Sequence, residues 1–363
     1  MQKIVYLIAG TYRAAGMERV LADKSGWLAS HGWDVTIITT EQKGRCPAYP
    51  LHPDIHCIDL DIGYEDNNGL SIWNKAFHYP IRIVRHWHRL SKQLREIRPD
   101  ICVSMFCSEA WFLPFIHDGS HKVLEVHFSR YKRIQYARKG LWGITDRIRS
   151  RFDGFTAKRY ERFVVLTEQD AAYWGKMKNL SVIPNPINMT FPQPASPQNH
   201  QVIAVGRYTF QKGFDMLIKA WKQIDTKDWT LRIAGQGELD IKDQDNIKTG
   251  FSDNIASEYL KSSIFALSSR FEGLPMVLLE TQAAGLPAVA FDCKCGPRDV
   301  LTDGENGFII PEGDIRSFAL ALEKLMNDTE LRSEMGMRAF TSSRRFSVDT
   351  IMEQWKELFE KLL

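Results

Sequence analysis

Residues 184–200 read PNPINMTFPQPASPQNH, and five prolines in this stretch leave neither a helical nor a strand period. Proline fixes φ and has no backbone donor, so a run this rich in it neither helps build a helix nor sits inside a sheet. On both sides of it the sequence has order. Upstream, IVYLIAG (4–10), DVTIITT (34–40), ICVSMF (101–106), HKVLEVHF (121–128) and RFVVLTE (162–168) are short apolar runs separated by amphipathic stretches, of which IRIVRHWHRLSKQLREIRPD (81–100) is the clearest. Downstream the rhythm restarts with VIAVGRY, FDMLIKAWKQI, TLRIAGQG, IFALSS, MVLLETQAAG and PAVAFD. Apolar strands alternating with helical patterns describe parallel sheets covered on both faces, and a break between two such series describes two Rossmann-like domains. The expected fold class is α/β, with domains at 1–185 and 201–345, a linker at 186–200, and a C-terminal helix over 346–363 packing back towards the first domain. In that helix Trp355, Leu358 and Leu362 share a face.

At 363 residues and 44% hydrophobic, the chain is too long for one core and suits two. Its apolar opening run is far shorter than the roughly 20 residues that span a bilayer and is followed by no cleavage-like site. The chain is therefore expected in the cytoplasm. Cysteines 46, 57, 102, 107, 293 and 295 form no zinc-spaced pairs and no dense secreted framework, so free thiols are expected. Cys293-Lys294-Cys295 and His86-Trp87-His88 each lack the second half of a metal site.

The net charge of +3 is unevenly spread: residues 1–170 carry 25 Lys and Arg against 19 Asp and Glu, and the remainder 22 against 25. Residues 122–162 alone hold 12 basic and 4 acidic side chains, interleaved with Tyr131, Tyr136, Trp142, Phe152, Phe155 and Tyr160. Such a segment suits an anionic partner, either a phospholipid face or nucleic acid, or else it is a solvated helix face.

Two segments carry chemistry. Glu272-Gly273-Leu274-Pro275-Met276-Val277-Leu278-Leu279-Glu280 follows the strand-like IFALSSR and opens a helical stretch. One carboxylate before the turn and another within the helix can accept from the hydroxyls of a polar ligand above the strand ends. The helix start offers amide N–H groups and a positive dipole end to a diphosphate. Upstream, VIAV ends in Gly206-Arg207-Tyr208-Thr209-Phe210-Gln211-Lys212-Gly213, where Arg207 and Lys212 make a clamp for a doubly charged diphosphate. The same clamp would stabilise negative charge growing on a departing nucleotide.

In this order and spacing the two segments resemble the GT-B retaining glycosyltransferases of family 4. The resemblance extends to Ala15-Gly16-Met17-Glu18-Arg19-Val20, similar to that family's first glycine loop but with Ala15 where glycine is frequent. It extends also to Leu124-Glu125-Val126-His127, to Val182-Ile183-Pro184-Asn185-Pro186, and to the loops at Cys295–Asp299 and Asp303–Phe308. It is nearest to bacterial members that build capsule, O-antigen, lipopolysaccharide or lipid-linked oligosaccharide. One departure is the short polar stretch ELDIKDQDNIK (238–248), where the family commonly has a helix and a strand.

The resemblance implies two domains facing across a cleft, the first taking the acceptor and the second the donor. It implies a hexosyltransferase that moves a hexose or N-acetylhexosamine from a nucleotide diphosphate sugar, UDP-sugar before GDP-mannose, to a lipid-linked or cell-surface glycan. By residue it implies Arg207 and Lys212 on the diphosphate, Glu280 on the ribose, Glu272 on the transferred sugar, and amides around Gly273, Leu274, Pro275 and Met276 nearby, with Pro275 giving shape only. Phe251 would lie near the base, Gly16 beneath the donor, and His127 near the sugar C6 hydroxyl or the reacting centre. Retention in this family is thought to proceed on one face, with the leaving phosphate helping to deprotonate the acceptor. No metal or other cofactor is implied, although Asp59-Leu60-Asp61 and Asp243-Gln244-Asp245 spell the metal motif of the other transferase fold.

Three other classes fit less well. A Rossmann dehydrogenase would carry GxGxxG after its first strand, where only Gly10 and Gly16 occur. A phosphorylase of related fold would need a pyridoxal lysine in a longer C-terminal domain. A nucleic-acid-binding or other anionic-surface protein would use the basic 122–162 segment, yet no recognised binding module accompanies it. Nucleic acid is thus not expected as a partner, whereas an anionic membrane surface is, with Arg130, Lys132, Arg133, Arg138 and Lys139, helped by Tyr131 and Trp142, holding the enzyme on the cytoplasmic face.

Overall fold

A computed structural model describes residues 1–67, 72–135 and 140–363. The chain forms two compact units: Met1–Leu166 with Ala171–Pro186 and Ile351–Leu363, and Thr167–Asp170 with Ile187–Thr350.

The first unit is built in chain order from β1 (Lys3–Ile8), α1 (Gly16–Ser30), β2 (Asp34–Thr39), β3 (His56–Asp59), α2 (Ile72–Ile97), β4 (Ile101–Ser104), β5 (His121–Glu125), α3 (Lys132–Gln135), α4 (Gly140–Ala157), β6 (Arg162–Val165), α5 (Glu168–Trp174), whose first residues fall in the second unit, and β7 (Leu180–Val182). Its seven strands are parallel, in the order β3-β2-β1-β4-β5-β6-β7. Val5 pairs with Thr36 on one side and Cys102 on the other. A parallel sheet is covered on both faces, which is why β1 is apolar and buried from Ile4 to Ile8 without alternation. Strand order reverses between β1 and β4, the place where open α/β sheets bind ligands beyond their carboxyl ends.

The second unit runs β8 (Gln201–Val205), α6 (Phe214–Trp221), β9 (Thr230–Ala234), β10 (Ile247–Gly250), α7 (Ile255–Leu260), β11 (Ile264–Leu267), α8 (Met276–Ala283), β12 (Ala288–Phe291), α9 (Pro297–Val300), β13 (Gly307–Ile310), α10 (Ile315–Asn327), α11 (Thr329–Ser342) and the start of α12 (Val348–Glu360). Its six strands are parallel, in the order β10-β9-β8-β11-β12-β13. Ile203 pairs with Arg232 and Phe265, so order reverses between β8 and β11. Trp221, Trp229, Phe291 and Phe318 lead its core.

The proline-rich stretch differs from a free linker. From Ile187 it belongs to the second unit: the Ala195 amide donates to the Ala284 carbonyl at 2.8 Å, and the Pro197 carbonyl accepts from Arg332 Nη2 at 2.9 Å. Proline has lost its donor but keeps its carbonyl, and a buried arginine uses it. The last residues, Ile351–Leu363, belong to the first unit, where Trp355 and Phe359 are buried and Phe359 meets Trp33 with centroids 5.7 Å apart. Leu362 lies past the end of α12. No described helix is long and apolar enough to cross a membrane.

Candidate active site

In the second unit the two chemistry-bearing segments leave neighbouring strands and meet. Lys212 Nζ lies 2.7 Å from Glu272 Oε1, and the Ser269 hydroxyl donates to that same oxygen at 2.6 Å. Glu272 is 8% exposed. The lysine stem lies over Gly206: a Cβ there would be 2.8 Å from Lys212 Cε, so glycine is needed for the approach. Gly213 turns the chain into α6 with φ +63°, and a Cβ on it would press within 2.1 Å of the Ser268 carbonyl oxygen. The two loops are further tied by Arg270, whose guanidinium holds Asp215 with two hydrogen bonds of 2.9 and 2.7 Å and lies 4.0 Å from the Phe210 ring centroid. Arg207 is exposed, and its side chain has no ion-pair partner among the described residues.

Glu280 sits in α8, buried, and its Oε2 accepts from the hydroxyl of fully buried Tyr259 on α7 at 2.7 Å. The turn Gly273–Met276 starts α8 with Pro275 as N-cap and no side-chain cap. Among the described residues, the Gly273 and Leu274 amides have no protein acceptor. Behind the turn runs the Cys293–Gly296 loop, so close that a Cβ on Gly296 would lie 2.3 Å from Pro275 Cδ. Cys295 there donates its amide to Gln169 at 3.0 Å, and burial pushes the Cys293 thiol well up.

A cavity of about 420 Å³ opens beyond β8, β9 and β10, lined by Tyr208, Gly235–Ile241, Thr249, Gly250 and Phe251. Phe251 is 61% exposed at its rim. Tyr208 is a strut of this wall, its oxygen donating to the Ile233 carbonyl at 2.9 Å and accepting from the Gly250 amide at 2.8 Å. The short 238–248 stretch contains no helix and ends in β10. Arg232 is held by Glu258 at 2.8 Å.

In the first unit Gly16 begins α1, exposed, and His127 follows β5. His127 Nε2 is 3.2 Å from Glu125 Oε1, yet neither ring nitrogen makes a hydrogen bond. Glu125 is locked instead to Lys24, whose ammonium lies 2.6 and 2.7 Å from its two oxygens with both side chains buried. The same ammonium lies 3.4 Å from the Trp355 ring centroid. Burial would raise Glu125, but Lys24 and His127 outweigh it and hold the carboxyl at about 2. Burial, opposed by Glu125, brings Lys24 down to about 8.

The acidic pairs spelling DxD have other work. Asp243 Oδ1 accepts from the Thr249 amide and hydroxyl, each at 2.7 Å, and Asp59 accepts from the Thr39 hydroxyl and the Lys43 amide. No group of three potential metal ligands occurs among the described residues.

The basic segment divides. Arg130 is turned inward, donating to the Ser150 hydroxyl at 2.9 Å and lying 4.4 Å from the Trp174 ring centroid, so it is a packing residue and not a free surface charge. Tyr136, Arg138 and Lys139 lie outside the described residues, and the side chains of Arg133 and Trp142 are likewise not described. The helix beyond them, α4, exposes Ile144, Ile148, Phe152 and Phe155, one apolar stripe bordered by exposed Arg147, Arg149, Arg151 and Lys158. Beside it a cavity of about 640 Å³ is lined by Ala9, Tyr79, Phe106, Cys107, Trp111, Arg149 and Phe152 among others.

Sequence reading missed Ser269, Tyr259, Tyr208 and the Asp215–Arg270 brace. Ser269 and Arg270 were within a quoted run, but Arg270's partner Asp215 lies 55 residues away, and that Ser269 turns its hydroxyl onto Glu272 is not visible in the spacing.

Known proteins give the geometry its context. Residues 14–191 match the family described as Glycosyltransferase Family 4, and residues 188–341 match Glycosyl transferases group 1. The amylovoran biosynthesis glycosyltransferase AmsD of Erwinia amylovora is 27% identical, covering 99% of both chains. The Campylobacter jejuni GalNAc-alpha-(1->4)-GalNAc-alpha-(1->3)-diNAcBac-PP-undecaprenol alpha-1,4-N-acetyl-D-galactosaminyltransferase is 23% identical over 100% of this chain and 99% of its own. Among solved structures, Anabaena HepE in complex with UDP and glucose superposes with a TM-score of 0.74 at 17% identity, over 99% of this chain and 100% of its own. With two parallel-sheet Rossmann-like units and transferase matches joined end to end, the chain is a glycosyltransferase of the GT-B fold.

Proposed function

We propose that this is a retaining, metal-independent family 4 enzyme that transfers a hexose or N-acetylhexosamine from a UDP-sugar to a hydroxyl of a lipid-linked or cell-surface glycan. The observation that carries the reading is the convergence of Lys212, Glu272 and the uncapped start of α8 beside the strand-order reversal. Arg207 and Lys212 take the diphosphate, together with the Gly273 and Leu274 amides; Glu272 takes the sugar and Glu280 the ribose. The base lies in the Phe251 cavity. In the first unit, Gly16 and His127 keep the roles the resemblance implies.

In the reaction the bond from the sugar C1 to the diphosphate oxygen breaks, and a bond from the acceptor oxygen to C1 forms on the same face. The acceptor proton passes to the departing phosphate oxygen. Arg207, Lys212 and the amides stabilise charge growing on that phosphate, which leaves no vacant electrostatic role for a divalent metal. HepE was solved with UDP, and the Campylobacter enzyme is named for an undecaprenol-linked acceptor; both favour these substrates.

The acceptor reading rests on the first unit. The α4 stripe, apolar with arginines at its borders, has the make-up of a helix lying in an anionic membrane interface. We assign it to the cytoplasmic membrane face, with the neighbouring 640 Å³ cavity taking the glycan. A thermal-shift panel of nucleotide sugars, followed by a hydrolysis assay with the best one, tests the donor. UDP and UDP-sugars should raise the melting temperature while a short oligonucleotide does not, and the reverse result would replace the reading.

A further inference from the structure

The side chains of Lys24 and Glu125 are each 1% exposed, and stability alone gives no reason for them. A Lys–Glu pair taken wholly out of water gains little over apolar residues of the same volume, because desolvation offsets the attraction. Lys24, in the middle of α1, is shut in by the Trp355 ring, whose centroid is 3.4 Å from its ammonium, and by the Tyr6 ring at 5.7 Å. Both oxygens of Glu125 close on that ammonium, so the carboxylate ending β5 is held in one orientation. Its Oε1, which lies 2.6 Å from the lysine, is also the oxygen 3.2 Å from His127 Nε2. Two positions apart, Glu125 and His127 project to one side of the chain leaving β5. The imidazole is 7% exposed and stands off the line of a hydrogen bond to that oxygen, as such bonds often do until substrate tightens them. A fixed carboxylate this close to a ring nitrogen accepts the N–H that nitrogen carries, and so decides which nitrogen is left as the acceptor.

We propose that Glu125 is a positioning residue for His127, holding its proton on Nε2 and turning Nδ1 towards the substrate, and that Lys24 keeps Glu125 fixed and ionised for that task. The inference rests on the role given to His127 above and adds two residues that touch no substrate.

Removing both charges together separates this role from a structural one, since no uncompensated charge is left buried. Lys24→Met/Glu125→Leu takes away the oxygen facing His127, whereas Lys24→Met/Glu125→Gln keeps one. The reaction followed is hydrolysis of whichever of UDP-glucose, UDP-galactose and UDP-N-acetylglucosamine the wild type turns over fastest, beside a thermal melt. The leucine variant should lose roughly tenfold or more in kcat with KM changed by less than about twofold, and the glutamine variant should recover most of that loss. In a His127→Ala background the two variants should turn over alike, because there is no ring left to place. If the leucine variant does not fold, Glu125→Asp is read in its place: it keeps a counter-charge for Lys24 but draws the oxygen back from the ring, and the same fall in kcat is expected. A folded leucine variant with wild-type kcat, an equal loss in the leucine and glutamine variants, or a loss that persists undiminished without His127 overturns the proposal. Wild-type turnover in His127→Ala overturns the role of the histidine, and wild-type protein that turns over no nucleotide sugar overturns the glycosyltransferase reading of the site; the proposal falls with either.

Discussion

Lys212 and Glu272, sixty residues apart in sequence, meet at 2.7 Å with the Ser269 hydroxyl on the same carboxylate oxygen. A donor diphosphate arriving at Lys212 therefore finds the lysine already extended and pointed, at the entropic cost of folding and not of binding. The pairing also gives Lys212 a phenotype distinct from that of Arg207.

Arg207→Ala removes an exposed, unpaired cation and should leave stability unchanged. Lys212→Ala should cost some stability as well, because it strips the buried Glu272 of its counter-charge. Each loss from the transition state should amount to about 1.5–3 kcal/mol, or roughly tenfold to more than a hundredfold in kcat/KM. Steady-state kinetics beside a thermal melt separates the two. Near-normal turnover in both variants removes the clamp.

Tyr259→Phe deletes one hydroxyl that steadies Glu280. The expected result is a rise of a few-fold in the KM for the donor with kcat little changed, because ribose contacts serve ground and transition states alike. A fall confined to kcat would place Glu280 at the reacting centre instead.

Transfer should continue in excess EDTA. Loss of activity restored by Mg²⁺ or Mn²⁺ would refute the metal-independent mechanism, and would direct attention to the phosphate clamp as insufficient by itself.

The buried Lys24–Glu125 pair gives a pH dependence with a definite sign. Glu125 is held at about 2 in the folded chain, below the usual carboxylate range, so it contributes stability above the unfolded value. That contribution is lost as pH falls towards 2. Glu125→Gln should cost about 3–5 kcal/mol near pH 6, since it leaves Lys24 buried and uncompensated. The gap between wild type and variant, read by urea unfolding, should narrow from pH 5 to pH 2.5. A gap constant across that range would mean that the carboxylate's charge is not what matters.

Flotation tests the α4 stripe. The protein should rise with liposomes containing anionic lipid at low salt. Changing Arg147, Arg151 and Lys158 to Gln should weaken this, as each cation near such a surface is worth about 1 kcal/mol. If the variant floats as well as the wild type, the charges are a solvated border.

Much of this was legible in the chain. Apolar runs without alternation marked the inner strands, and the placing of Arg207, Lys212 and Glu272 just past strand ends followed from where parallel sheets bind ligands. The strands β3, β7, β10 and β13 were missed because all four lie at sheet edges, half covered and, β13 apart, of mixed polarity, whereas inner strands of the same length are buried, apolar runs. Arg130 was read as a surface charge because composition cannot show that Trp174 and Ser150 turn it inward.

The contact of Lys24 with Trp355 also sets an order of events in the making of the protein. The first unit takes residues 351–363 into its core, and these leave the ribosome only after all of residues 187–350. At about 5–20 residues per second, the N-terminal half waits roughly ten to thirty seconds with Lys24 and its apolar neighbours uncovered. During that interval it is the second unit, contiguous from Ile187 to Thr350 apart from four residues already made, that can finish first. The half synthesised first is completed last.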